Sequence, residues 1–166
     1  MNKEKFTLIG AGLTGPLLAT YLAHRGYSVE IFERRSDMRK ESISAGRSIN
    51  LALSARGNHA LKEVGLYDKI KPYTIPMKGR MIHDLNGNTH LQPYGQQENE
   101  VIFSVSRAQL NMDLMTMAEE TGNVTIRFNH QLLSADLEQN KLLFLLSDSL
   151  EAVSYTHLTL PTILLV

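Results

Sequence analysis

The chain has 166 residues, enough for one domain of ordinary size, and a chain of that length buries roughly 70% of its unfolded surface. Lys plus Arg and Asp plus Glu both number 17, so bulk electrostatics offers nothing to nucleic acid or to an anionic membrane. There is no cysteine, which excludes a disulfide framework, a thiol nucleophile and a Cys-ligated metal. No 18-residue apolar run argues for a membrane span. Met1 to Lys5 lacks the apolar core of a signal peptide, so a cytoplasmic protein is expected.

The first predicted element is a short apolar strand, Phe6 to Ile9, followed by Gly10-Ala11-Gly12-Leu13-Thr14-Gly15 and an amphipathic helix from Pro16 to Arg25. A strand, three glycines and a helix in this order predict a dinucleotide-binding turn. Gly10 permits the tight turn, Gly12 lets a pyrophosphate approach the backbone, and Gly15 lets the helix pack on the strand. The first N–H groups of the helix lack intrahelical partners and point at the anion with the positive dipole end. Pro16 sits in the first turn, where its missing N–H costs little. Gly26 closes the helix, and Tyr27 to Phe32 reads as a second, parallel strand. It ends at Glu33, 18 residues after Gly15. An acid there accepts hydrogen bonds from both ribose hydroxyls of an adenosine and repels a 2′-phosphate. Arg34 and Arg35 follow, within reach of adenine or phosphate or else at a solvated loop end, in a polar loop that runs to Ala45.

Ser54 is a plausible N-cap for a helix ending at Val64-Gly65. Leu66 to Lys71 forms a short turn stopped by Pro72. The runs Met81 to Leu85 and Thr89 to Gln92 flank Asn86-Gly87-Asn88, a hairpin signal. A two-residue loop at Asn86-Gly87 pairs Arg80 with Pro93, and a three-residue loop from Asn86 to Asn88 pairs Arg80 with Tyr94. In both cases Arg80 and Tyr94 lie close across the ladder. Val101 to Val105 is a strand, and Ser106-Arg107-Ala108-Gln109 matches a capping box. The helix it opens runs to about Thr121, with Leu110, Leu114, Met117 and Ala118 on its apolar face. Val124 to Phe128 is a third strand for the parallel sheet. Gln131 to Leu137 and Lys141 to Leu146 are antiparallel strands that turn near Gln139-Asn140. The tail, Val153 to Val166, begins no recognisable element, and its deletion is expected to leave the fold of residues 5–150 unchanged.

No metal site is expected. His83, Asp84 and His90 share the hairpin but lack a metal-ligand spacing. Ser48 and Ser54 have no His-Asp partners in a nucleophile elbow. The fingerprint by itself leaves open a nicotinamide-dependent dehydrogenase and a non-catalytic nucleotide-binding module.

Three segments narrow this. Gly46 to Ser54, Ile75 to Asp84, and Pro93-Tyr94-Gly95 followed by Ser104-Val105-Ser106-Arg107 resemble the kynurenine 3-monooxygenase family of FAD-dependent aromatic hydroxylases. The resemblance covers about residues 5 to 150. It implies an α/β fold: a Rossmann-like FAD-binding βαβ domain over 1–152, with an antiparallel hairpin from the substrate side inserted at about 77–104. Residues 153–166 form a tail outside the family pattern, and Ser154 to Thr162 resembles translated adapter sequence. The resemblance implies that Gly10, Gly12, Thr14, Gly15, Phe32, Glu33, Arg34, Arg35, Ala52, Arg107 and Leu132 bind FAD. It further implies that Arg80 and Tyr94 bind the amino-acid carboxylate of L-kynurenine, with NADPH and O₂ as co-substrates. No residue is assigned as general acid or base, because the chemistry belongs mainly to the cofactor. The family's later Asp-Gly and Gly-Asp motifs are absent. The chain is therefore expected to be a truncated N-terminal fragment, inactive alone.

Overall fold

The fold was analysed in a computed structural model, which describes residues 4–40, 50–97, 100–146 and 149–159. In chain order the elements are β1 (Lys5–Ile9), α1 (Thr14–His24), β2 (Ser28–Phe32), β3 (Asn50–Leu53), α2 (Ala55–Glu63), α3 (Tyr67–Ile70), β4 (Ile75–Met77), β5 (Gly79–His83) and β6 (Thr89–Pro93). They continue with β7 (Ile102–Ser106), α4 (Arg107–Glu120), β8 (Val124–Arg127), β9 (Gln131–Asp136), β10 (Lys141–Leu146), β11 (Ser149–Ser154) and β12 (His157–Thr159). A 3₁₀ turn at Lys71–Tyr73 contains Pro72. The chain divides into two compact units, residues 1–44 with 111–166, and residues 45–110.

The first unit is built on a parallel sheet of order β12-β1-β2-β8. Each neighbouring pair is parallel, so the predicted βαβ unit and its third strand are present. Parallel strands buried on both faces read as near-continuous apolar runs, and Val29, Ile31 and Phe32 of β2 are all buried. The crossover helix α1 buries Ala19 and Ala23 beside Leu8, Val29 and Ile31, and Met115 and Ala118 of α4 join the same cluster. A second cluster stacks Phe32 on Phe144 (ring centroids 4.3 Å apart) and adds Leu142. It lies beneath an antiparallel sheet of order β11-β10-β9. The predicted turn is there, with Asn140 at φ +54°.

The tail differs from expectation. Residues 149–154 form β11, and His157, Leu158 and Thr159 pair in parallel with Phe6, Thr7 and Leu8 of β1. The Thr156 hydroxyl donates to the Lys5 carbonyl (2.6 Å), and the Phe6 and His157 rings stack at 4.7 Å. A short stretch without acidic or Lys/Arg side chains meets the edge of β1, a partner that a scan for local turn and cap signals does not see.

The second unit holds an antiparallel sheet of order β3-β7-β4, the helices α2 and α3, and the hairpin β5–β6. Ser54 occupies the N-cap position of α2 with extended backbone, but its side chain makes no capping bond. Ser106 does cap α4, accepting from the Gln109 N–H at 3.3 Å. The motif segment 46–49 lies outside the described residues.

Candidate functional site

The glycine turn is shaped from both sides. Gly10 has φ +100°, backbone that L side chains rarely adopt, and its N–H donates to the Phe32 carbonyl across the strand ends (2.8 Å). A Cβ on Gly15 would collide with the Gly10 carbonyl oxygen, so this glycine is required by the packing of α1 on β1. Gly12 is different. A Cβ there would meet no atom of the described residues within 4 Å, so the backbone at Gly12 stays open to close approach. The helix behind it is equally open. Helix α1 has no side-chain N-cap bond and no acidic residue in its first turn. Among the described residues, then, no side chain caps its leading N–H groups, which sit at the positive end of the helix dipole.

Glu33 follows β2 and is buried, 6% exposed. Its Oε2 accepts the Ala11 N–H at 2.8 Å, inside the glycine turn. Its Oε1 accepts the Arg35 backbone N–H at 3.0 Å and the Arg35 Nε at 2.8 Å. Burial works to raise the carboxyl's pKa, and the hydrogen bonds from Arg35 and Ala11 with the Arg35 charge outweigh it, leaving it below the usual carboxylate value. A carboxylate offers about four acceptor positions, and the described residues fill three. One remains on Oε2, so the two ribose hydroxyls expected on this acid meet a group largely committed to holding the turn.

The remaining predicted residues divide by unit. Thr14 is exposed at the start of α1, and Arg34 is exposed beside Glu33. Phe32 turns its ring into the core against Phe144, and its carbonyl is engaged by Gly10, so its side chain packs rather than lining the surface. Leu132 on β9 is half-buried opposite Phe144. Ala52, Arg107, Arg80 and Tyr94 belong to the 45–110 unit. Ala52 pairs with Ser104 between β3 and β7 and is exposed. Arg107 opens α4 with a buried Nε that has no hydrogen-bond acceptor among the described residues.

The hairpin register corrects both predicted loops. Arg80 pairs with Gln92, Ile82 with His90 and His83 with Thr89, so the loop is Leu85-Asn86-Gly87. Gly87 at φ +83° supplies the left-handed residue of a three-residue hairpin loop. Asp84 selects it: one carboxylate oxygen accepts the N–H groups of Asn86 and Asn88 (2.9 and 2.8 Å), and the other accepts the Asn88 side-chain amide. Arg80 Nε donates to Gln92 Oε1 at 2.7 Å. Tyr94 continues the ladder through its N–H to the Lys78 carbonyl. It lies two residues beyond Gln92 and so on the face of Arg80, as a diagonal neighbour rather than a direct pair.

Asn111 was not among the predicted site residues. It is 5% exposed, and its Nδ2 donates to the Ala11 carbonyl at 3.1 Å. The clue was available: a polar residue on the apolar face of α4, one turn before Leu114 and Met115. That face buries Met115 where Met117 was predicted. A cluster of Asp37, Arg39 and Glu119 was also missed. Arg39 grips Asp37 through Nε and Nη2, both at 2.8 Å, and reaches Glu119 through Nη1 at 2.6 Å, tying the segment after β2 to α4. Among the described residues no group of three His, Cys, Asp or Glu side chains is placed to hold a metal.

A profile described as "FAD binding domain" matches residues 5–156. The chain belongs to the FAD-binding domain family. The geometry fits that cofactor: an open Gly12, an uncapped helix N-terminus and a buried acid at the end of β2 are what an adenosine diphosphate half requires. Among relatives, kynurenine 3-monooxygenase of Myxococcus xanthus (strain DK1622) is 50% identical over 141 residues, covering 85% of this chain and 30% of that protein. Kynurenine 3-monooxygenase of Anopheles gambiae is 47% identical over 135 residues, covering 81% and 28%. The FAD-binding domain described here thus spans about 30% of the length of these relatives. In solved structures it is similar to p-nitrophenol 4-monooxygenase PnpA from Pseudomonas putida DLL-E4, with a TM-score of 0.79 at 17% identity over 95% of this chain and 40% of that one.

Proposed function

We propose that this chain is the FAD-binding portion of a kynurenine 3-monooxygenase, which uses FAD, NADPH and O₂ to hydroxylate the ring of L-kynurenine. The observation that carries the reading is the 50% identity to the Myxococcus xanthus enzyme over 141 residues, 85% of this chain. Bound FAD would supply the redox chemistry, accepting reducing equivalents from NADPH and activating O₂. The chain's own residues bind and orient. The Gly12 N–H and the first turn of α1 face the pyrophosphate, and the last acceptor position of Glu33 takes a ribose hydroxyl. The Arg107 guanidinium, with its unpaired Nε, suits a phosphate or a flavin carbonyl oxygen.

Arg80 and Tyr94 are proposed to hold the carboxylate of the substrate. They share one face of the hairpin, and Arg80 now rests on a neutral amide, Gln92. A carboxylate would displace that amide and meet a guanidinium fork with a phenol beside it. Asp84, the acid of the hairpin, is committed to the turn and leaves Arg80 to its neutral partner. No step in this reading needs a protein nucleophile or metal.

A chimera tests it. Residues 5–146 of this chain replace the matching segment of the Myxococcus xanthus enzyme, and kynurenine-dependent NADPH oxidation is measured with bound FAD. The expected result is a flavin-loaded enzyme that forms 3-hydroxykynurenine. Arg80→Ala in that chimera should raise the KM for kynurenine by about tenfold or more, the worth of a charge-assisted hydrogen bond, at unchanged FAD content. Tyr94→Phe should cost less, and Arg80→Lys should fall between. A chimera that loads FAD and oxidises NADPH with no response to kynurenine would overturn the substrate assignment.

A further inference from the structure

Ala11, in the glycine turn, is fully buried and is held at both ends. Its N–H donates to Glu33 Oε2, and its carbonyl accepts from Asn111 Nδ2, a residue 100 positions away on α4. The amide orientation of Asn111 follows from its neighbours. Reversing it would set Oδ1 against the Ala11 carbonyl oxygen, two acceptors facing each other. Nδ2 also lies 3.2 Å from Met38 Sδ, a weak acceptor. Asn111 Oδ1 is buried with no donor among the described residues. A buried amide with an unpaired end is a poor core residue, since an apolar side chain of the same size would cost less. Its donor end is what justifies it.

We propose that Asn111 is a positioning residue for the cofactor's pyrophosphate, acting through the Ala11–Gly12 peptide. The Ala11 carbonyl and the Gly12 N–H belong to one planar trans unit and point in opposite directions. Drawing the carbonyl inward onto Asn111 therefore turns the Gly12 N–H outward, over the space that a Cβ on Gly12 would occupy. Without Asn111 the buried carbonyl has no side-chain donor among the described contacts. The peptide can then rotate, and a rotated Ala11 carbonyl would present an oxygen to the phosphate in place of a hydrogen. Asn111 touches neither phosphate nor flavin. It fixes the direction of one donor that does. The inference rests on the FAD-domain reading of this turn and not on the identity of the substrate.

The test separates phosphate affinity from adenosine affinity in the full 166-residue chain. FAD, ADP and adenosine binding are measured by equilibrium dialysis for the wild type, Asn111→Ala and the near-isosteric Asn111→Leu, with melting temperatures for each. The expected result is ADP and FAD weakened about two- to tenfold, the range of one neutral hydrogen bond, while adenosine, held by Glu33, binds as in the wild type. Equal losses for adenosine and ADP would assign Asn111 to general support of the fold and overturn the proposal. So would unchanged binding of all three ligands, or loss of folding in both variants. A wild-type chain that bound neither FAD nor ADP would fail the FAD-domain reading itself, and the proposal with it.

Discussion

Two glycines five and two residues into the same turn do opposite things, and a methyl group tells them apart. Gly15→Ala drives a Cβ into the Gly10 carbonyl. Backbone cannot step aside as a flexible side chain does, so the strand–helix contact must open. A fall in melting temperature of several degrees is expected, the shift that about 1–2 kcal/mol produces in a domain of this size. Gly12→Ala meets no protein atom, so the melting temperature should hold within a degree or two while FAD affinity falls. Thermal melts and FAD titration on the same two samples check both, and a Gly12→Ala chain that binds FAD normally would contradict the assignment of that space. Glu33 carries a second residue-scale expectation. Its buried negative charge disfavours a 2′-phosphate, so ADP should compete with FAD better than NADP does. Tighter binding of NADP than of ADP would contradict it.

Among the elements, β12 and the hairpin give the clearest tests. β12 hydrogen-bonds along β1 at the sheet edge, so a chain ending at Tyr155 should melt at lower temperature than the full chain and bind more of a hydrophobic dye, since it bares the β1 edge and Phe6. An unchanged melt would mean that the edge pairing contributes nothing. This reverses the expectation from sequence, and the reason is physical. The βαβ unit, the capping box and the β9–β10 turn all announce themselves within a few residues, through a glycine, a serine or an Asn at a fixed offset. β12 has no such mark: its partner is 151 positions away, and a three-residue run of His, Leu and Thr is silent about which edge it meets. The hairpin fails differently. Asn-Gly was legible, but the Asp84 carboxylate, by capturing two backbone N–H groups, closed a loop one residue earlier than either predicted form. The site was legible to the same degree. Residues placed by the motif came together at the turn, whereas Asn111, supplied by a distant helix, has no sequence offset that reveals it.

At the scale of the whole molecule, three buried or partly buried carboxylates set the response to acid. Glu30 lies between Lys5 Nζ (2.7 Å) and Arg127 Nε (2.5 Å) across three strands of the parallel sheet. Burial raises its pKa and these two partners more than reverse that, so it ends below the usual carboxylate value. Asp37 is lowered from 3.8, first by its hydrogen bond from Arg39, and Glu33 is lowered from 4.5 as described. A carboxyl with a depressed folded pKa contributes stability that is present above its unfolded value and is lost as pH falls through the folded one. Urea unfolding should therefore show full stability at pH 6 to 7 and a decline beginning below about pH 4.5. Glu30→Gln should flatten that decline, and an acid profile identical to the wild type would show that the Glu30 cluster does not contribute.

The position of β1 has a consequence for how the chain acquires its shape. β1 is the first strand made, yet its neighbours on the two sides arrive at very different times: β2 within about 25 residues and β12 only after some 150. Closing so long a loop carries an entropic cost and slows folding. On the ribosome, then, the nucleotide turn forms early beside an open strand, and that strand waits for its second neighbour until some 150 further residues have emerged.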